Sequence, residues 1–119
     1  MKNEIKQVVE TYFKGYAQAE PELLEQAFHP ETRLYSGSED GSLDRTEMSA
    51  WLENVRGRKA KGDLRQGTLE IASIDVVGDA ALAKAVISFP KLQFTDFLSL
   101  IRIGGQWKIV GKIYHAVAR

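Results

Sequence analysis

Hydrophobic residues recur every three or four positions near the start of the chain. They are Ile5, Val8, Val9, Tyr12, Phe13 and Tyr16. This spacing predicts a helix with one apolar face, and Gly15 lies in its last turn. A glycine inside a helix costs about 1 kcal/mol relative to alanine, so we expect this turn to pack closely against another element.

Two further helices are predicted before the pattern changes. Pro21 suits the first turn of a short helix, which ends at His29-Pro30 because a residue before proline avoids helical dihedrals. A short strand over 32–35 and a polar turn over 36–42 follow. The third helix has an apolar stripe, a capping box at its start and an end near Gly57. The capping residues are Asp44 and Glu47, and the stripe is Met48, Trp51, Leu52 and Val55.

The second half of the chain has the alternation and the β-branched residues typical of strands. Four strands are predicted, over 69–77, 80–89, 94–103 and 106–114. Gly78-Asp79 and Gly104-Gly105 are each suited to a two-residue hairpin turn, and Pro90 marks the end of a strand. Helices followed by antiparallel strands indicate one α+β domain spanning residues 1–119.

Composition narrows the class of protein. Sixteen basic and sixteen acidic residues give a net charge of zero, which argues against a general nucleic-acid binder. No apolar run reaches the roughly 20 residues that span a bilayer, and the first residues lack the apolar core of a secretion signal. We therefore expect a soluble, cytoplasmic protein with no nucleic-acid or membrane partner.

The hairpin 94–115 carries a resemblance to a known family; its sequence is FTDFLSLIRIGGQWKIVGKIYH. With the order of the preceding elements, it resembles the nuclear transport factor 2-like (NTF2-like) superfamily, and within it the group called putative lumazine-binding or SnoaL-like proteins. The resemblance implies a cystatin-like cone, with three N-terminal helices packed on a strongly curved antiparallel sheet. It also implies a pocket open at one end and a homodimer through the outer sheet face.

Strand alternation predicts which hairpin residues face the helices. With a two-residue turn at Gly104-Gly105, the inner face holds Phe94, Asp96, Leu98, Leu100, Arg102, Trp107, Ile109, Gly111, Ile113 and His115. The outer face then holds Thr95, Phe97, Ser99, Ile101, Lys108, Val110, Lys112 and Tyr114. Phe97, Ile101, Val110 and Tyr114 form the predicted dimer patch. A slip of one residue would exchange the two faces.

Asp96 is the one acid on the predicted apolar face, and we consider it a candidate catalytic residue. Apolar neighbours remove water from a carboxylate and favour its protonated form, so that it can act as a general acid or base. His115 is the predicted proton-transfer partner. A structural alternative is that Asp96 caps a loop or pairs with His115 or Lys112 at the end of the sheet.

Aromatic and apolar residues are the candidate ligand-binding positions, although a core role for Tyr12 and Tyr16 is an alternative. They are Tyr12, Tyr16, Tyr35, Trp51, Phe94 and Leu98. Two scattered histidines and no cysteine argue against a metal site, and no cofactor signature is present. One basic cluster is predicted to be a mobile, solvated loop or a phosphate site. It contains Arg56, Arg58, Lys59, Lys61 and Arg65.

Three functions remain open from the sequence. The first is a pocket for an apolar or aromatic small molecule inside the cone. The second is an isomerase, dehydratase or cyclase that uses Asp96 as general acid or base, an activity implied by the resemblance. The third is a non-catalytic dimerisation module whose cone is filled by side chains.

Overall fold

Three helices and six strands make up the computed structural model, which describes all residues from 1 to 119. The elements are α1 (Lys2–Ala17), α2 (Pro21–Ala27), β1 (Phe28–Gly37), β2 (Leu43–Glu47), α3 (Met48–Ala60), β3 (Thr68–Val77), β4 (Ala80–Ser88), β5 (Leu92–Ile103) and β6 (Gln106–Ala118). The helices pack on a curved sheet, which confirms the predicted α+β class. None of the helices combines the length and apolar character needed to cross a bilayer.

The six strands form one sheet in the order β2-β1-β6-β5-β4-β3. Neighbouring strands are antiparallel except β1 and β6, which run parallel. Both predicted two-residue turns are present. Gly78, Gly104 and Gly105 adopt positive φ there, which glycine tolerates because it has no Cβ.

The region around α3 differs from the sequence prediction at both ends. Instead of a capping box, residues Leu43–Glu47 form β2, and Glu47 makes no side-chain cap for the helix. At the other end, α3 continues past Gly57 to Ala60. The extra turn carries Arg58, whose Nη1 donates a hydrogen bond to the Tyr16 carbonyl oxygen at 2.8 Å, so a tertiary contact holds it in place.

Helix α1 packs on the inner face of the sheet. Its buried residues Ile5, Val9 and Tyr12 belong to the same core cluster as Leu98 and Ile109 of the hairpin. Gly15 lies where α2 packs against α1. A methyl group at this position would come within 3.0 Å of Leu23 Cβ, which accounts for the glycine that the sequence places inside the helix.

A β-bulge in β6 changes which residues face the core. Leu100 lies opposite Ile109, but Ser99 lies opposite Gly111, so Val110 is an extra residue in the strand. Beyond the bulge the predicted register was wrong, because one added residue exchanges the two faces of a strand. Five positions change sides as a result: Lys112 and Tyr114 turn toward the helices, and Gly111, Ile113 and His115 turn outward.

Candidate functional site

Asp96 lies in the interior, on the face of β5 that points toward the helices. Its side chain is completely buried, as is that of Leu98 two residues further along the same face. This agrees with the alternation predicted for the strand. The carboxylate is not isolated among apolar groups, however, because two polar side chains from other elements reach it.

Tyr12, Asp96 and Lys112 form a buried polar network. Tyr12 Oη donates a hydrogen bond to Asp96 Oδ2 at 2.5 Å, and Lys112 Nζ donates to Tyr12 Oη at 2.6 Å. Lys112 Nζ lies 3.8 Å from Asp96 Oδ2. The two groups are therefore close enough to form an ion pair but too far apart for a direct hydrogen bond. Helix α1 and strands β5 and β6 therefore each contribute one polar group to the centre of the fold.

Three aromatic rings surround the Lys112 amino group. Its Nζ lies 4.7 Å from the Tyr12 ring centroid and 4.9 Å from those of Trp51 and Tyr114. Cations at such distances are attracted to the ring faces. An ammonium has three N–H donors and Tyr12 accepts one, so the hydrogen-bonding capacity of Lys112 is not exhausted by the protein.

Burial changes the acidity of two members of the network. It lowers the pKa of Lys112, because loss of water penalises the ammonium, while the Asp96 carboxylate acts in the opposite direction. Burial raises the pKa of Tyr12 well above 10.0, and the adjacent Asp96 carboxylate adds to the effect. The phenol consequently keeps its proton in the folded state. Asp96 Oδ1 is buried and has no hydrogen-bond partner.

A partly open cavity of about 80 Å³ adjoins this network. Lys112 and Tyr12 contribute to its wall, and Asp96 does not. Most of the lining is aromatic or aliphatic; the residues are Tyr12, Tyr16, Leu34, Thr46, Trp51, Ile87, Phe94, Lys112 and Tyr114. A cavity of about 150 Å³ is known to hold benzene, so the present volume accommodates only a small group or the head of a larger molecule.

A larger groove of about 200 Å³ lies apart from the network. Its lining residues are Glu25, Phe28, Pro30, Met48, Ser49 and Leu52. We favour the smaller cavity as the functional site. It is the one in which a buried lysine and a buried tyrosine, both with shifted pKa values, contribute to the wall, and perturbed titratable groups in a cavity are typical of functional sites.

Four of the six predicted ligand-binding residues line the cavity: Tyr12, Tyr16, Trp51 and Phe94. Leu98 does not, because it is completely buried within the core. Tyr35 pairs with the outward-facing Ile113, on the opposite side of β1 from the buried Leu34. These two predicted positions therefore lie outside the site.

His115 cannot serve as the predicted proton-transfer partner of Asp96. It pairs with Thr95 and is exposed, because the bulge turns it outward. Asp96 instead forms an ion pair with Lys112, as in the structural alternative considered from the sequence. The pair lies in the interior, however, and not at the end of the sheet.

Sequence reasoning missed five lining residues. They are Leu34, Thr46, Ile87, Lys112 and Tyr114. For Lys112 and Tyr114 the missing information was the bulge. A glycine inside a strand often marks a bulge, so Gly111 was the available signal.

The basic cluster is held by contacts within the protein, and the prediction of a mobile loop was wrong where α3 continues to Ala60. Arg65 Nη1 donates to Tyr16 Oη at 2.6 Å, and the Asp63 carboxylate lies 3.5 Å from both Arg58 and Arg65. Burial raises the pKa of Tyr16, whereas the two guanidinium groups act in the opposite direction. Arg65 thereby fixes the position of the Tyr16 phenol beside the cavity.

Two solved structures share this architecture. An NTF2-like protein of unknown function from Shewanella baltica is 25% identical, with a TM-score of 0.86 over 98% of this chain and 93% of that chain. One from Silicibacter pomeroyi is 24% identical, with a TM-score of 0.82 over 98% of this chain and 94% of that chain. The fold is therefore that of the NTF2-like proteins.

The family is defined more narrowly by the sequence match. Residues 1–115 match the family described as "Putative lumazine-binding", and the chain belongs to this family. A protein named aldolase FrzH, from Cladobotryum sp., is 24% identical over 108 residues, which are 91% of this chain and 85% of that protein.

We expect the free energy of unfolding to fall above pH 10.0, and less steeply in Tyr12→Phe than in the wild type. The unfolded chain releases the phenol proton near pH 10.0 while folded Tyr12 retains it, so this stabilisation is complete below that pH and is lost above it. The Tyr12 contribution is about 1.4 kcal/mol per pH unit until the folded pKa is reached. Urea unfolding at several alkaline pH values measures the slope, with Tyr35→Phe as the control for loss of a phenol outside the network. Equal slopes in wild type and Tyr12→Phe would contradict the expectation.

Proposed function

We propose that the protein binds a small molecule whose head enters the cavity beside Lys112 and Tyr12. The observation that carries this proposal is the junction of an aromatic cavity with a buried polar network. Ligand sites combine apolar walls with a few placed polar groups in this way. The Lys112 donors that the protein leaves unused are available to the ligand.

The cavity restricts the chemistry of the ligand. Lys112 Nζ can donate hydrogen bonds, so we expect an oxygen acceptor such as a carbonyl or carboxylate at the inner end. The rings of Tyr16, Trp51 and Phe94 favour an apolar or aromatic body. Because the volume of about 80 Å³ is below the usual 300–1,000 Å³ of ligand pockets, the rest of a larger molecule extends through the opening.

Acid–base catalysis is the second candidate function, and the Tyr12–Asp96 hydrogen bond favours it. Tyr12 lines the cavity and lies 2.5 Å from the carboxylate behind it, so a proton can pass between Asp96 and a bound molecule through the phenol. Isomerases, dehydratases and cyclases need such a transfer. The relative named as an aldolase acts, by that name, on carbonyl compounds, for which the same group would serve.

Binding is tested by titrating the protein with lumazine, phenol and acetone while recording amide NMR spectra. We expect shifts at residues around the cavity for at least one probe. Thr46→Trp, which places a bulky ring at a half-buried lining position, should weaken that binding at least about tenfold, or 1.4 kcal/mol. Thr46→Val, which keeps the size of the side chain, should bind as the wild type does. No cavity shifts with any probe, or unchanged binding to Thr46→Trp, would refute the proposal.

We also infer that the outer sheet face binds a second copy of the chain. Its exposed hydrophobic residues include Leu82, Phe97, Ile101 and Ile113, and Phe97 pairs directly with Ile113. Contiguous exposed apolar residues of this kind are typical of association surfaces. Of the four residues predicted for the interface, Phe97 and Ile101 are exposed and Val110 is half-buried. Tyr114 is excluded, because it lines the inner cavity.

Sedimentation at micromolar concentration tests this interface. We expect a dimer for the wild type and a monomer for Phe97→Lys, because the lysine would be buried against apolar side chains without a partner. Leu64→Lys is the matched control, since Leu64 is an exposed hydrophobic residue outside the sheet and its replacement should leave the dimer intact. A monomeric wild type would refute the inferred dimer.

A further inference from the structure

Lys112 combines three properties that seldom occur together in one lysine. Its side chain is only 6% exposed, its Nζ faces three aromatic rings, and it forms part of a cavity wall. Lysines are rarely buried to this degree unless they are paired, and the Asp96 carboxylate lies 3.8 Å from Lys112 Nζ. Here the only acceptor within hydrogen-bond distance is the phenol of Tyr12. Burial lowers the pKa of Lys112 below its ordinary value, so its free amine forms more readily than that of an exposed lysine.

The network provides a route by which Lys112 can lose its proton. Nζ, Tyr12 Oη and Asp96 Oδ2 form a continuous chain with separations of 2.6 Å and 2.5 Å. A proton passed from Lys112 to Tyr12, with the phenol proton passed on to Asp96, leaves an amine and a carboxylic acid. Both transfers run along hydrogen bonds that are already present, so the route needs no rearrangement of the side chains.

We propose that Lys112 forms an imine with the carbonyl group of a small aldehyde or ketone bound in the cavity. The inference rests on the proposed small-molecule binding and specifies its substrate class. A desolvated lysine in a hydrophobic pocket is a suitable nucleophile for carbonyl compounds, because only the free amine attacks. The lowered pKa of Lys112 acts in the same direction.

The reaction balances without a further reactant. The Nζ lone pair attacks the carbonyl carbon and forms the C–N bond, while Tyr12 Oη gives a proton to the carbonyl oxygen. Tyr12 regains a proton from the nitrogen, through Asp96 or directly. The hydroxyl group then takes a proton from Tyr12 and leaves as water, so that the C–O bond breaks and the C=N bond forms. The nitrogen loses its second proton to the network, and no oxidation or reduction occurs.

The surroundings of Nζ suit an intermediate of this reaction as well as the amine. The protonated imine that is present before the nitrogen loses its second proton is a cation, and the rings of Tyr12, Trp51 and Tyr114 attract a cation at this position. The titratable groups that face Lys112 or share its cavity are Asp96 from β5, Tyr12 and Tyr16 from α1, and Tyr114 from β6. The volume of about 80 Å³ holds the carbonyl head of a substrate, for which acetone is a suitable probe.

The test is to incubate the wild-type protein with acetone and cyanoborohydride at neutral pH and to locate modified lysines by peptide mass spectrometry. We expect Lys112, among the nine lysines of the chain, to be modified at least about tenfold faster than Lys84, since each unit of lowered pKa raises the free-amine fraction tenfold. Lys84→Met should leave the rate at Lys112 unchanged. Tyr12→Phe should slow modification while acetone still binds, because it interrupts the proton route.

The outcomes separate this inference from the binding proposal. NMR shifts at the cavity with acetone, but no selective modification of Lys112, would overturn imine formation and leave binding intact. If acetone produces no cavity shifts and no modification, imine formation is overturned. The binding proposal is then decided by the lumazine and phenol titrations. The site of modification is read in the wild type, so the test does not depend on the folding of a Lys112 variant.

Discussion

The burial of a carboxylate at the centre of the fold is the constraint on which the site depends. Asp96 is directed inward by the alternation of β5, where an unpaired charge would cost several kcal/mol. The bulge at Val110 supplies the compensation, because it turns Lys112 to the same face. Tyr12, projecting from α1, joins the two groups by hydrogen bonds. Helix, hairpin and bulge are thus linked through one polar contact.

The same contact gives the cavity its chemical character. Without Lys112 and Tyr12 the only polar groups of the wall would be the Thr46 hydroxyl and the phenols of Tyr16 and Tyr114. Lys112 adds a hydrogen-bond donor to the cavity wall, and Tyr12 adds a protonated phenol. Arg65 fixes the phenol of Tyr16 beside the same cavity. The same arrangement could serve binding, acid–base catalysis or imine formation. In binding Lys112 only donates a hydrogen bond, in acid–base catalysis a proton passes through Tyr12, and in imine formation Lys112 itself loses protons.

Local patterns predicted most of the fold and the position of Asp96. Strand alternation and glycine turns depend on neighbouring residues, so β5 and the aromatic lining residues on α1 could be predicted. The place of Lys112 could not, because the bulge is set by distant contacts. Strand β1 runs parallel to β6 and shifts its own register there, and Thr32 Oγ1 donates to the Ile109 carbonyl oxygen at 2.8 Å. Only Gly111 marks this irregularity in the sequence.

The interdependence of Asp96 and Lys112 is tested most directly by a double-mutant cycle on the free energy of unfolding. Removal of one partner leaves the other charge buried, so Asp96→Leu and Lys112→Met should each cost about 3–5 kcal/mol. The double variant should lose much less than the sum of these costs, with a coupling energy of about 0.5–3 kcal/mol. Additive losses would contradict the account, because the two side chains would then be independent.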